Sequence, residues 1–250
     1  FGDKPVRYYP YVETSHEAGS GLVDNLAAHA SVVVTDDFPC FFIPRMLKKT
    51  ARRLPTLLEA VDSNGLLPMR AADSFFPTAY AFRRFLQREL TPHLCELPAP
   101  DPFAGAKIPE PTHVDPSILA KWPEATDELL EAGRKVLSEL PIDHAIGPAA
   151  FSGGSSAAQD ALQTFLDDKL NRYHEDRSQP EADVVSGLSP WLHFGHISAS
   201  DVFAQLAMRE NWSPDKLADN AKGSRQGWWG MSEPAESFLD ELITWRELGY

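Results

Sequence analysis

Cysteine is scarce in this chain: its 250 residues include two, Cys40 and Cys95, with neither zinc-ligand spacing nor the partners of a disulfide framework. That excludes a disulfide-stapled secreted scaffold and fits a reducing, intracellular setting. No apolar run approaches the length of a membrane span, and Arg7 near the start is not followed by the apolar stretch of a signal peptide. Bases are outnumbered by acids, 23 to 36, for a formal net charge of −13. That balance argues against a protein that coats nucleic acid without specificity, because its long-range field repels phosphates. Nucleotide and hydrolase signatures are missing as well. There is no Walker sequence and no G-x-G-x-x-G. No G-x-S-x-G elbow sits on a strand-to-helix turn, and Gly153-Gly154-Ser155-Ser156 has no clear strand before it.

What is present is a globular composition, 43% hydrophobic and 24% charged, with enough length to bury a core unaided. Ser31-Val32-Val33-Val34-Thr35 is a short β-branched run, the pattern of a buried parallel strand. A helix is expected over 45–54, and Leu57-Leu58-Glu59-Ala60-Val61 is a second strand, closed by the Asp62-Ser63-Asn64-Gly65 turn. Residues 80–90 form a helix with Tyr80, Phe82, Phe85, Leu86 and Leu90 on one broad apolar face. Strand–helix–strand–helix is a crossover unit and predicts a parallel sheet. Two strands are few for an open sheet, so the remaining strands are expected to precede Phe1.

Six prolines (98, 100, 102, 109, 111 and 116) mark an extended connector. Beyond it the pattern turns helical. Ser156 and Gln159 have capping-box spacing, and Ala158, Ala161, Leu162, Phe165, Leu166, Lys169, Leu170 and Tyr173 follow a single face. Further helices are expected around Val202 and Leu206 and over 237–248. The resulting division is 1–97, a partial α/β domain; 98–116, the connector; and 117–250, an all-α domain.

Four places stand out chemically. Arg45, Lys48, Lys49, Arg52 and Arg53 form a cationic cluster without an acid, either a solvated helix face or a phosphate-contacting surface. Ser186-Gly187-Leu188-Ser189-Pro190 combines helix-start signals, with Ser189 as N-cap and Pro190 at the first helical position. Such a turn offers N–H groups and hydroxyls to a phosphate. His193 and His196 are three apart, but no third metal ligand stands near, so hydrogen-bonded histidines at a packed interface are expected rather than a metal pair. Along the last helix Phe238, Glu241, Leu242, Trp245, Leu248 and Gly249 share a face. A carboxylate there must find a partner, stay protonated or line a cavity, where Trp245 could help hold a flat ligand. Alternatively, the helix turns Glu241 to a wet edge beside Asp240.

The segments VVVTDDFPCFFIPRM (32–46), VDSNGLLPMRAADSFFPTAYAFRRFL (61–86), SGLSPWLHFGHIS (186–198) and FLDELITWREL (238–248), with Tyr173 between them, resemble in sequence and order the DNA photolyase/cryptochrome family, most closely the class II cyclobutane-pyrimidine-dimer photolyases. The resemblance implies a Rossmann-like antenna domain followed by an all-α FAD-binding domain, with the chain covering the C-terminal part of the first and the N-terminal part of the second. It implies that Tyr173 touches the FAD phosphates, that Ser186, Gly187, Leu188 and Ser189 form the phosphate-binding turn, and that Arg246 reaches the flavin. Glu241 is similar to the glutamate that hydrogen-bonds the pyrimidine dimer, and Trp245 to the aromatic that packs against it. Many members carry asparagine at Gly187 and tyrosine at Trp191, and some carry arginine at Trp245. The implied function is light-driven repair of dimers in damaged DNA by electron transfer from reduced FAD, in the whole protein and not in this stretch alone. The alternatives are a cryptochrome-like photoreceptor without repair and a cofactor-free remnant. A monomer is expected, with no metal and no membrane, cytoplasmic in a bacterium or nuclear in a eukaryote.

Overall fold

The computed structural model describes residues 5–250 except 96, 100, 112, 132, 133 and 148. Pro100 of the connector and the first four residues therefore lie outside the described residues. In chain order the elements are α1 (Leu22–Ala28), β1 (Val32–Asp36), α2 (Ile43–Arg53), β2 (Leu57–Val61), α3 (Ala79–Glu89), α4 (Thr91–Leu94), α5 (Pro116–Lys121), α6 (Asp127–Leu130) and α7 (Arg134–Leu137). They continue with α8 (Ser155–Thr164), α9 (Leu170–Asp176), α10 (Ser189–His193), α11 (Ala199–Arg209), α12 (Glu233–Leu239) and α13 (Arg246–Leu248). Among the described residues no helix is long and apolar enough to cross a membrane.

The chain packs as two compact units. The first comprises 1–35, 42–60 and 101–151. In it β1 and β2 pair in parallel, as their crossover pattern predicts. The strands are not buried as the apolar run suggested: Val34 is 59% exposed and Leu57 63%. Two paired strands have two wide faces, and within this unit little covers them. The small core of the unit is built instead from Leu22, Ile118 and Trp122 with Tyr9, Tyr11, Leu26 and Val114 around them. Asp115 starts α5 by accepting hydrogen bonds from the Ser117 N–H at 2.7 Å and hydroxyl at 2.6 Å, and Pro116 occupies the first turn, where its missing N–H costs nothing. Trp122 then donates its indole N–H to the Ala18 carbonyl at 2.9 Å. Thus α5, expected to open the helical domain, packs with α1, and the division by packing departs from the linear one.

The second unit comprises 36–41, 61–100 and 152–250, so the 61–97 stretch assigned to the α/β domain by composition packs with the helices. Leu86, Leu90, Leu162, Phe165, Leu170, Val202, Phe203, Leu206, Leu239 and Ile243 are almost fully buried in one core. Burial of each such side chain stabilises the fold by roughly 1.5–3 kcal/mol. Tyr80 is exposed, leaving the α3 face expected of it to Phe82, Leu86 and Leu90. The capping box does not form: Gly154, at φ 95°, precedes α8 without a side-chain cap. Gln159 instead accepts from the Gln205 amide at 2.7 Å and donates to Asp201, because both reach it from α11.

Both long helices of this unit contain a π turn, Phe165–Lys169 between α8 and α9 and Asp240–Trp245 between α12 and α13. A π turn adds one residue to the helix and rotates everything beyond it by roughly 100° relative to an uninterrupted α-helix. The faces change accordingly. Along the last helix the buried residues are Ala235, Glu236, Phe238, Leu239, Asp240, Leu242, Ile243, Thr244 and Glu247, whereas Trp245 is 44% exposed. Three acids of this helix are buried in the core. Asp240 accepts from the Arg83 Nε at 2.7 Å and Nη2 at 3.1 Å, a bidentate pair with both side chains buried. Glu236 accepts from the Gly227 and Met231 N–H groups, and Glu247 takes up a role described below.

Candidate functional site

The α9 and α12 helices pack on each other, and Phe165, Tyr173 and Phe238 form an aromatic triad between them. Their ring centroids are 4.6 to 5.6 Å apart, mostly in edge-on arrangements. Tyr173 is buried except for its edge, and burial pushes its hydroxyl up from the ordinary tyrosine range. Arg177, one turn further along, lies 5.6 Å over the Tyr173 ring. The same guanidinium forms an ion pair with Glu241 from the π turn. Burial alone would lower the Arg177 pKa, but the interactions with Glu241 and Tyr173 outweigh it, and the guanidinium is held more firmly charged.

Glu241 thus found a partner at a partly wet edge, its side chain 40% exposed, which is the second of the two placements left open for it and not the apolar stripe. Glu241 stands at the opening of the π turn, and the extra residue of the turn carries Trp245, at its end, out to the margin of the core. Two of the expected residues, Tyr173 and Glu241, are brought together, and the link is Arg177, which sequence reasoning missed. Its signal was the i, i+4 spacing from Tyr173 on one helix face.

The 186–189 turn is built around a glycine in the left-handed region. Gly187 has φ 67°, where a side chain would be strained, and open space lies where a Cβ would stand. Leu188 enters the same core as Tyr173, which fixes the turn to the helices. Helix α10 begins at Ser189 with Pro190 in its first turn, and Leu188 rather than Ser189 occupies the cap position. Neither serine caps the helix, which leaves the Ser189 hydroxyl on the surface. The Ser186 Oγ lies 3.5 Å from the Leu188 nitrogen. His196 accepts from the Gly154 N–H at 3.1 Å, the hydrogen-bonded role expected of it. Among the described residues no group of three His, Cys, Asp or Glu side chains converges on a possible metal position.

Arg246 donates to the Asn64 carbonyl and lies 5.3 Å over the Tyr250 ring. Next to it Glu247 is 8% exposed and accepts from the Leu66 N–H at 2.7 Å and the Leu67 N–H at 3.3 Å. Burial raises its pKa to about 7, against the opposing pull of those two N–H groups and Arg246 and with some help from Asp62. Gly65 lies flat against this carboxyl, and a Cβ there would come within 2.5 Å of it. Asp62 closes the loop by accepting from the Met69 N–H at 2.7 Å. A cavity of about 320 Å³ opens beside Glu247, walled by Leu67, Met69, Phe76, Phe82, Leu248 and Tyr250. None of the expected site residues lines it.

No family model matches the chain. The chain is 28% identical over 223 residues to a deoxyribodipyrimidine photo-lyase of Arabidopsis thaliana, covering 88% of this chain and 40% of that protein. It is 28% identical over 225 residues to a deoxyribodipyrimidine photo-lyase of Methanothermobacter thermautotrophicus, with 89% and 41% covered. A cryptochrome-1 of Sinapis alba is 32% identical over 120 residues, 47% of this chain and 23% of that one. Among solved structures, a bacterial class III photolyase from Agrobacterium tumefaciens shares the fold with a TM-score of 0.57 at 21% identity, over 90% of this chain and 42% of that chain. The chain therefore spans about 40% of the length of the photolyases it matches along most of its own length. Sequence similarity over most of the chain and a shared fold identify it as a relative of the photolyases and cryptochromes.

Proposed function

We propose that the chain is the central part of a light-driven DNA lyase that binds FAD and splits cyclobutane pyrimidine dimers, its first unit belonging to an antenna domain and its second to the FAD domain. The observation that carries this reading is the Tyr173–Arg177–Glu241 chain, which joins an expected cofactor contact to an expected lesion contact through one cation. The residues present fit the cofactor. An exposed glycine turn with open ground beside it, flanked by the hydroxyls of Ser186 and Ser189, offers donors to a diphosphate. FAD, when bound, supplies the excited-state electron. The work of the chain is to bind and orient. Ser186, Gly187, Leu188 and Ser189 would hold the phosphates, and Arg177 would keep the Tyr173 ring and the Glu241 carboxylate in fixed positions.

Enzymes that work on a base take it out of the stack and read its edge by hydrogen bonds and stacking. Glu241 has an exposed carboxylate edge for that purpose, and Trp245, also at the margin of the core, has an exposed ring. Two photolyase relatives match along most of the chain, while the cryptochrome matches over less than half, which favours repair over signalling.

The test uses the whole gene product and a thymine-dimer oligonucleotide, with repair per absorbed photon measured and flavin content determined in each variant. Glu241→Ala is expected to keep its flavin and lose about 10-fold or more in repair or lesion affinity, the worth of one charge-assisted hydrogen bond. Glu241→Gln, which keeps a hydrogen-bonding edge, should lose less. Equal repair in Glu241→Ala and the unmodified protein would overturn the reading, and absence of flavin from the unmodified protein would remove its basis.

A further inference from the structure

The α2 helix runs from Ile43 to Arg53 without an acid and without a fully buried residue. Its five cations, Arg45, Lys48, Lys49, Arg52 and Arg53, follow one another at spacings of three, one, three and one, which is a single stripe of helix surface. All five are exposed, and they alone line a shallow groove. Among the described residues only Arg53 has an acidic partner, Asp24 at 2.7 Å. In a chain of net charge −13 this is a strong local reversal of sign. A solvated face would be stabilised by interleaved acids at i, i+4, and none is present here.

We propose that the α2 stripe is a docking surface for the phosphate backbone of duplex DNA, making contacts that do not depend on a lesion. The inference rests on the reading of DNA as the partner but concerns a surface in the other unit, made of residues other than those proposed to read a dimer. From residue 45 to 53 the helix rises about 12 Å, which, measured along the duplex axis at about 3.4 Å of rise per phosphate, corresponds to three to four phosphates of one strand. A groove lined by cations alone lacks the apolar centre of a protein–protein interface. Ile43, Leu47 and Thr50 are half-buried and Leu54 is buried, so apart from Phe42 and Met46 the helix has little apolar surface to insert into a bilayer. Because the rest of the molecule repels DNA, the stripe has to supply the attraction in its own unit.

The experiment measures the affinity of the chain for an intact duplex of about 20 base pairs, and for the same duplex with one thymine dimer, as a function of salt. With four cations free to meet phosphates, log K against log[salt] should have a slope of about −3.6, a loss of about 150-fold between 50 and 200 mM. Lys48→Ala with Lys49→Ala should bring the slope to about −1.8 and the loss to about 12-fold, on both duplexes. Alanine is the best helix former, so α2 is retained in that variant. Lys107→Ala with Lys121→Ala changes the net charge equally and should leave the slope as it was. An unchanged slope in the Lys48/Lys49 variant, or no binding of duplex at all, overturns the proposal. So does tighter binding to phosphatidylserine vesicles than to duplex at equal salt, which would make the stripe a membrane surface. Loss of preference for the dimer with the salt slope intact would sink the repair reading and leave this one standing.

Discussion

Glu247→Gln should flatten the response of the helical unit to pH between about 4.5 and 7. In the folded chain the carboxyl is buried and its pKa is about 7, against 4.5 when free. Between those values the folded state holds a proton that the unfolded state has released, so stability falls as pH rises through the interval and levels off above it. Below about 4.5 both states are protonated and the contribution is fully present. The gap corresponds to about 3 kcal/mol, with little solvent discount because the side chain is 8% exposed. Glutamine cannot titrate, yet its carbonyl can still accept from the Leu66 N–H, so the loop contact is retained in part. Urea denaturation at pH 4.5 and 7.5, followed by tryptophan fluorescence, reads this unit because every tryptophan but Trp122 lies in it. The difference in stability between the two pH values should be more negative in the unmodified chain than in Glu247→Gln by about 3 kcal/mol. Equal pH dependence in the two proteins would show that Glu247 is charged and solvated, and the account of its burial would be wrong.

Asp240→Ala should destabilise the same unit by about 3–5 kcal/mol, because it leaves the Arg83 guanidinium buried without its anion. Replacing both by apolar residues, Arg83→Met with Asp240→Leu, should recover most of that loss in the same denaturation assay, and a single-variant cost under about 1 kcal/mol would refute the pairing. Gly65→Ala should cost about 1–3 kcal/mol by pressing a methyl into the Glu247 carboxyl. In a Glu247→Ala background the same change should cost much less, and additive costs would show that the two residues do not meet.

Elements with a clean period were legible in the sequence. The strands at 32–36 and 57–61 and the helices around 80–90, 155–176 and 199–209 stand, within a residue or so, where short apolar runs and 3,4 spacing put them. Burial of β1 was not legible, because a strand pattern says which residues can be covered and not what covers them. The last helix shows the other limit. Counting at 100° per residue puts Glu241 and Trp245 on the apolar face, and the π turn at Asp240–Trp245 breaks that count without a marker in composition. Buried acids are equally silent: Asp240 meets Arg83 across 157 residues and Glu247 meets Leu66 across 181. Ser156 and Gln159 had the spacing of a cap, but side chains of α11 were better placed for Gln159 than its own backbone. Gly65 read as an ordinary turn glycine, while its lack of a side chain serves a carboxyl far along the chain.

The π turn in the last helix makes segment length itself a trait on which the unit depends. Deleting one residue between 240 and 245, Ile243 for instance, would keep every later amino acid and return the helix to α geometry. Arg246 and Glu247 would keep the faces they show now, because the residue removed is the one that the turn had added. Straightening the turn at full length would instead swing them about the helix axis by about 100°: Glu247 would leave the Leu66 and Leu67 N–H groups, Arg246 would leave the Asn64 carbonyl, and the loop pinned at Gly65 would lose its counterpart. When this helix is aligned with a relative whose helix is uninterrupted, a one-residue gap at 240–245 is what keeps the terminal residues on matching faces.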